Sequence, residues 1–432
     1  MKLHRTPHPP TCDREISSAE FWSSSFAERE ETFRWLRENA PVSWHPPLED
    51  PEVPASVHGE AGFWALTLAE DISFVSRNHE EFSSELGMPY LPPRAPGQPT
   101  MAPSILELDP PRHTDYRRAL SSAFMPKTVR LLTEKIEQRA EQIVDRVVGA
   151  GSFDFVAEVS SKLPMLTVAD LVGIPEGQIN SFAEAGNNLV ERHDPETLEK
   201  LPAGVTLQDW TNQQVGYLMG MGVELAEARR ARPADDVMTR LVTTDVVGRT
   251  LNNEDIGIMM VLLSVAGNDT TKQTTSHTVV NLARHPEQRN WLLEDFDGRI
   301  MGAIEEFLRY ATPVLHFART ATRDVTIRGT EITAGDKVGL FYCSGNRDST
   351  VFSDPEKFDI TRPPSKHVAF GGGGVHYCIG AGVAKAQLRA LFRQILTKLP
   401  DLEVGEPEQL IGGGMNGIKR LPVTAGKATA RW

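Results

Sequence analysis

The chain has 432 residues, 40% hydrophobic and 24% charged, an ordinary globular composition with length for a large core and, on length alone, for two or three domains. Its 45 basic against 58 acidic residues give a formal charge of −13, which argues against the basic face that nucleic-acid binding needs. Cys12, Cys343 and Cys378 are too few, and odd in number, for a disulfide framework, and no apolar run approaches the roughly 20 residues of a membrane span. With no signal peptide legible in Met1–Arg14, a cytoplasmic protein without membrane insertion is expected.

Residues 1–20 read as a loose arm. Phe26–Asn39 reads as a helix, and Gly62–Leu68 alternates like a strand. Met88–Ser104 is a long loop rich in Pro and Gly, a type that is usually functional or disordered. Asp109–Phe124 turns from a Pro-Pro stop into a helix, Lys127–Val148 is helical, and helix follows helix to about residue 245. The longest helical segment starts at Asn252 or Asn253, either of which can cap it, with Glu254 and Asp255 suited to the positive end of the dipole. It runs to Pro286, about 32 residues and roughly 48 Å. Strand signals return at Asp324–Gly329, Lys337–Cys343 and Gly417–Val423. No repeat and no low-complexity linker divides the chain, so the expectation is a mainly α protein with a small β region.

Two stretches carry chemistry. Inside the long helix an apolar run meets Gly-Asn-Asp-Thr-Thr at 267–271. Gly in a helix interior costs about 1 kcal/mol against Ala, and a carboxylate and hydroxyls beside a buried stripe cost more unless satisfied. A solvated face is one reading. The other is a local widening that opens a groove lined by an acid and an alcohol as a proton relay.

The second stretch, FGGGGVHYCIG from Phe370 to Gly380, runs into a helix. No Gly-Lys-Ser/Thr follows, so it is no phosphate loop, and the third Gly of a dinucleotide fingerprint is missing. Gly412, Gly414 and Gly417 give that spacing later, but a strand follows them. Zinc held by His367, His376 and Cys378 lacks a fourth ligand of usual spacing. A nucleophilic cysteine and an axial thiolate to haem iron both remain, each favoured by a helix N-terminus beside the sulfur.

The stretch resembles the haem-binding signature F-G-x-G-x-H-x-C-x-G of the bacterial cytochrome P450 monooxygenases. Gly372, His376, Cys378 and Gly380 keep their places, while an extra Gly moves Phe370 one residue further from the sulfur. Glu306 and Arg309 are similar to the family's E-x-x-R, with Arg362 completing a buried triad. Asp269 and Thr270 fall on its acid and alcohol positions. His113 and Arg117, with Arg319, match residues that hold haem propionates. These matches are collinear from about residue 20 onward.

The resemblance implies one P450 domain over residues 21–432 behind an arm of residues 1–20, with the long central helix over haem b (iron protoporphyrin IX). It implies O2 as co-substrate and NAD(P)H electrons arriving through a ferredoxin and ferredoxin reductase. Cys378 would be the iron ligand, and His113, Arg117, Arg319, His376, Phe370, Gly372, Gly380 and Ala266 would contact the haem. The family pattern puts Leu262, Val265, Ala266, Val314, Leu315, Phe317 and Met415 around the substrate, and the long loop adds Met88, Tyr90, Leu91 and Met101. This lining is apolar. Arg112 and Arg118, with Lys385, Arg389 and Arg393 four residues apart on one helix face, are expected to form a basic patch for an acidic ferredoxin.

The chain also looks like the actinobacterial sterol and methyl-branched-lipid hydroxylases. The implied reaction is hydroxylation of a steroid, terpenoid or branched fatty-acyl chain by a monomer. The alternatives are a macrolide- or peptide-tailoring hydroxylase, a peroxide-driven peroxygenase and a non-catalytic haem sensor.

Overall fold

The long helix capped at Asn252 organises the molecule. In a computed structural model the described residues are 9–50, 53, 60–87, 89–92, 104–121, 124, 126–246, 249–364, 366–411 and 414–426. The Asn252 side chain accepts the Asp255 N–H at 2.8 Å and the Asp255 carboxylate accepts the Asn252 N–H at 3.0 Å, a reciprocal capping box. The helix is not continuous as expected. It runs Asn253–Ala266, breaks at Gly267 and Asn268, and resumes as Asp269–Arg284. Two contacts shape the break. A Cβ on Gly267 would stand 2.5 Å from Val168 Cγ2, and the Thr270 hydroxyl donates to the Ala266 carbonyl at 3.0 Å. The polar stretch is no solvated face either, since Asn268, Asp269, Thr271 and Lys272 are buried.

The first half of this helix packs on the helices Ile179–Val190 and Leu207–Ala231. Close approach there uses Gly222 and Gly257, where an added Cβ would lie 3.0 Å from Met260 Cβ and 3.1 Å from Met219 Cβ. The second half shares the largest apolar cluster with the helices Phe296–Ala311 and Ala381–Lys398. No helix among the described residues is long and apolar enough to cross a membrane.

A five-stranded sheet stands beside the helices in the order Val42–His45, Phe63–Leu66, Lys337–Phe341, His316–Ala321, Phe82–Ser83. The pairing of Lys337–Phe341 with Phe63–Leu66 is parallel and the others are antiparallel. Strand alternation sorts side chains onto two faces. Arg319 lies opposite Val338, on the face packed with Trp64 and Leu340, and Phe317 packs there too. Leu315, Ala318 and Phe341 join Trp22, Phe33 and Leu36 on the other.

That second face corrects the loose arm. Ile16 is fully buried, the Cys12 N–H donates to the Trp44 carbonyl at 2.9 Å, and the Trp22 indole donates to the Ile16 carbonyl at 2.9 Å. Ile16 therefore belongs to the core and Cys12 packs against it, while most of residues 9–20 stay exposed along the surface. Residues 1–8 lie outside the described residues.

The expected triad is assembled, with Glu306 and Arg309 fully internal and Arg362 half-buried. Arg309 grips Glu306 with two hydrogen bonds, Nε to Oε2 at 2.6 Å and a terminal nitrogen to Oε1 at 2.8 Å. Its remaining donors reach the carbonyls of Asn346 and Pro355, both at 2.7 Å, and Lys357 at 3.1 Å. Arg362 approaches the same carboxylate at 3.5 Å. Glu306→Gln leaves two guanidiniums without their counter-ion, and breaking a buried pair costs about 3–5 kcal/mol. Chemical denaturation should show a loss of that size; an unchanged midpoint would contradict the lock.

Candidate active site

The cysteine loop is shaped by four consecutive left-handed residues, Gly371 (φ 100°), Gly372 (72°), Gly373 (108°) and Gly374 (73°). A side chain would be strained at each. Their protein neighbours lie at the end of one helix. A Cβ on Gly374 would stand 1.9 Å from the Ser76 carbonyl oxygen, one on Gly373 2.9 Å from Arg77 Nε, and one on Gly372 3.0 Å from Ser76 Oγ. The glycines let the loop press against the end of the helix Ala69–Arg77.

Beyond the glycines the Cys378 N–H donates to the Phe370 carbonyl at 3.1 Å, and the helix Ala381–Lys398 begins. Burial pushes the Cys378 thiol up; the N–H of Gly380, the Arg117 charge and the N–H of Ala381 pull against it. Cys343, in the core, is pushed up to about 12 by burial. Despite the extra Gly, Phe370 is buried in the apolar cluster against which Cys378 packs.

Four basic side chains converge beside this loop. The rings of His113 and His376 are 4.4 Å apart, and His376 Nε2 meets Ser84 Oγ at 3.1 Å. Both ring nitrogens of buried His113 lack a hydrogen-bond partner. Buried Arg319 donates to the carbonyl of Ala318 at 2.6 Å, and Arg117 donates to the Tyr377 carbonyl at 2.6 Å. Burial first, then neighbouring positive charge, holds His113 down to about 4 and His376 down to about 2. The nearby Asp109 carboxylate is engaged by Ser83 and the N–H of Ser84. Buried cations and unpartnered imidazole nitrogens are unfavourable unless an anion joins them, so the cluster fits a ligand carrying carboxylates.

Across the break in the central helix, Ala266 is exposed, and Leu262, Val265 and Thr270 are half-buried around it. Asp269 does not share that face. It is 1% exposed and its carboxylate pairs with Lys272, about 100° around the helix from Thr270. Acid and alcohol therefore do not line one groove in this structure, a correction to the expectation.

The remaining expected pocket residues divide. Val314 and Met415 form an isolated β-bridge, and the rings of Tyr90 and Phe317 meet at 6.2 Å. The turn carrying Met415 is fixed by Asn416, which donates to the Ala311 carbonyl at 2.6 Å and whose carbonyl meets His277 Nε2 at 3.1 Å. Leu315 and Leu91 are corrections: each is 1% exposed in the apolar cluster on the opposite sheet face. Met88 and Met101 lie outside the described residues.

Each residue of the expected basic patch has an acidic partner. Arg112 pairs with Glu85 at 2.5 Å, Arg118 with Asp115 at 3.2 Å, Lys385 with Glu305 at 2.6 Å and Arg389 with Glu137 and Asp297 at 3.1 Å; Arg393 also pairs with Asp297. Lys385, Arg389 and Arg393 reach acids on other helices, while Arg118 pairs within its own. Sequence reasoning missed Lys272, although its i,i+3 spacing from Asp269 was visible, and Ser84, for which no local signal exists.

The cytochrome P450 family profile matches residues 224–404. The methyl-branched lipid omega-hydroxylase of Mycobacterium tuberculosis is 36% identical over 429 residues, 98% of this chain and 97% of that protein. The chain belongs to the cytochrome P450 family. The steroid C26-monooxygenase of the same organism is 36% identical over 90% of this P450 and 88% of its own length. The solved structure of the Mycobacterium marinum cytochrome P450 CYP268A2 in complex with pseudoionone shares the fold with a TM-score of 0.92 and 43% identity, covering 97% of this chain and all of that one.

The family implies haem, and the residues fit it. Cys378 supplies a sulfur beside helix N–H groups, Arg117 and Arg319 supply guanidinium donors for two carboxylates, and His113 and His376 supply neutral ring N–H donors. Cys378→Ala should abolish the red-shifted Soret band of the reduced carbonyl complex, while Cys12→Ser and Cys343→Ala keep it. Survival of that band without Cys378 would contradict the assignment.

Proposed function

We propose that this P450 monooxygenase hydroxylates a methyl-branched apolar chain, on a lipid or a steroid side chain, near the chain end. The observation that carries this is the set of half-buried Leu262, Val265, Val314, Phe317 and Met415 with exposed Ala266, none of them charged. Apolar walls with few polar groups orient a ligand by shape. The named activities of the two mycobacterial relatives support the same class, as does the pseudoionone held by the structural neighbour, itself a methyl-branched chain.

Haem, when bound, supplies O2 activation and the insertion of one oxygen atom, with NAD(P)H electrons delivered through a ferredoxin and its reductase. The chain's own part is positioning and proton supply. Cys378 would hold the iron, and His113, Arg117, Arg319 and His376 would hold the carboxylates. The apolar lining excludes water and presents the chain end. Thr270 holds a proton at Oγ1, spent in this structure on the Ala266 carbonyl. It becomes a donor to the reacting centre by leaving that carbonyl, and Asp269 is the acid that restores its proton.

Thr270→Ala should keep substrate binding and electron uptake but lose reducing equivalents as hydrogen peroxide, and Asp269→Asn should slow turnover by roughly 10²-fold or more. Fully coupled turnover at the parent rate in both variants would remove the relay.

The substrate class is tested by titrating a methyl-branched fatty acid, cholest-4-en-3-one and pseudoionone separately. At least one should displace iron-bound water and give a high-spin spectrum. Silence from all three, with a high-spin response to a macrolide, would overturn the lipid reading.

A further inference from the structure

Lys272 is the one buried lysine among the described residues, at 2% exposure. A buried ammonium is unfavourable unless paired, and this one has two acids. It ion-pairs with Asp269 one turn earlier on its own helix, and it stands 3.5 Å from Glu191 Oε1. Glu191 caps the C-terminus of the helix Ile179–Val190. That helix presents a second group to the ammonium, Asn187, whose side-chain oxygen lies 3.5 Å from Nζ and accepts from Asn268 at 3.0 Å. Two carboxylates on different helices thus share one cation. Asp194 also faces Glu191, although its carboxylate is engaged by Lys419 at 2.5 Å. Burial alone would pull Lys272 down, but Asp269 and Glu191 outweigh it and hold it up; burial pushes Glu191 up against the pull of Lys272.

The geometry has a consequence for the relay. Asp269 cannot serve Thr270 while Lys272 keeps its carboxylate on the buried side of the helix. Another anion drawing on the same ammonium weakens that hold. Glu191 is such an anion, and it rides on a helix packed across the central one.

We propose that Lys272 is a positioning residue that holds Asp269 toward the helix Ile179–Val190, and that Glu191 competes for its ammonium, so the seating of that helix governs release of the acid to the Thr270 face. This rests on Asp269 acting as the relay acid.

The test uses the haem-loaded protein and two readouts. In Lys272→Met the buried Asp269 loses its counter-ion and takes up a proton. Infrared spectra at neutral pH should gain a protonated-carboxyl band that disappears when Asp269→Asn is added. The second readout is a double-mutant cycle. Glu191→Gln should lower kcat several-fold with KM and the substrate-induced spin shift unchanged, because the acid is held more firmly. In the Lys272→Met background the same substitution should change nothing. Where Lys272→Met fails to load haem, Lys272→Gln serves for both readings. Absence of the infrared band, or multiplicative effects of the two substitutions on kcat, overturns the proposal while Asp269→Asn remains slow. Parent-rate turnover by Asp269→Asn instead overturns the relay itself.

Discussion

The grip of Arg309 on Glu306 is the constraint on which the active site depends. A fully buried guanidinium must place every donor, and Arg309 places its donors on one carboxylate and on the carbonyls of Asn346, Pro355 and Lys357. The order propagates toward the sulfur. Asn346 donates to Thr312 at 2.8 Å and accepts the Val368 N–H at 2.7 Å. The Val368 carbonyl accepts the Gly371 N–H at 2.9 Å, and the Phe370 carbonyl accepts the Cys378 N–H at 3.1 Å. A buried charge pair on one helix therefore sets the height of the cysteine through a short series of hydrogen bonds. Arg347 reinforces it, fully inside the protein, donating to the carbonyls of Arg309 at 3.1 Å and Tyr310 at 2.8 Å.

Around that fixed sulfur the chain sorts its side chains by two periodicities. Strand alternation sends Arg319 to the face beside the cationic cluster and its neighbour Ala318 to the core. Helical rotation sends Thr270 toward the opening at Ala266 and Asp269 into the protein. The site is consequently polarised, with four basic groups converging on one side and an apolar lining on the other. Such a division suits a cofactor with carboxylates at one edge and a substrate without charge.

Much of this was legible in the sequence because the signals were local. Asn252 with Asp255, Phe26–Asn39, the Glu306 and Arg309 spacing and the glycine run each carry their physics within a few residues. What escaped depended on distant partners. The glycine run itself was plain, but the groups it approaches, Ser76 and Arg77, are about 300 residues away in sequence. Leu315 and Leu91 had the right hydrophobicity, yet only the sheet pairing reveals which face they occupy. Lys385, Arg389 and Arg393 shared a helix face as expected, but the acids that neutralise them come from other helices. The segment before the first helix read as a loose arm, yet Ile16 anchors it in the apolar cluster that holds Trp22 and Phe33.

The central claim is that buried basic groups lacking an anion, together with one cysteine at a helix start, form a haem-thiolate site. A crystal structure of the haem-loaded protein tests it most directly. The account predicts Cys378 Sγ as the axial ligand and haem carboxylates within hydrogen-bond reach of His113, Arg117 and Arg319. A different axial ligand, or carboxylates turned to solvent with both His113 nitrogens still unpartnered, would contradict it.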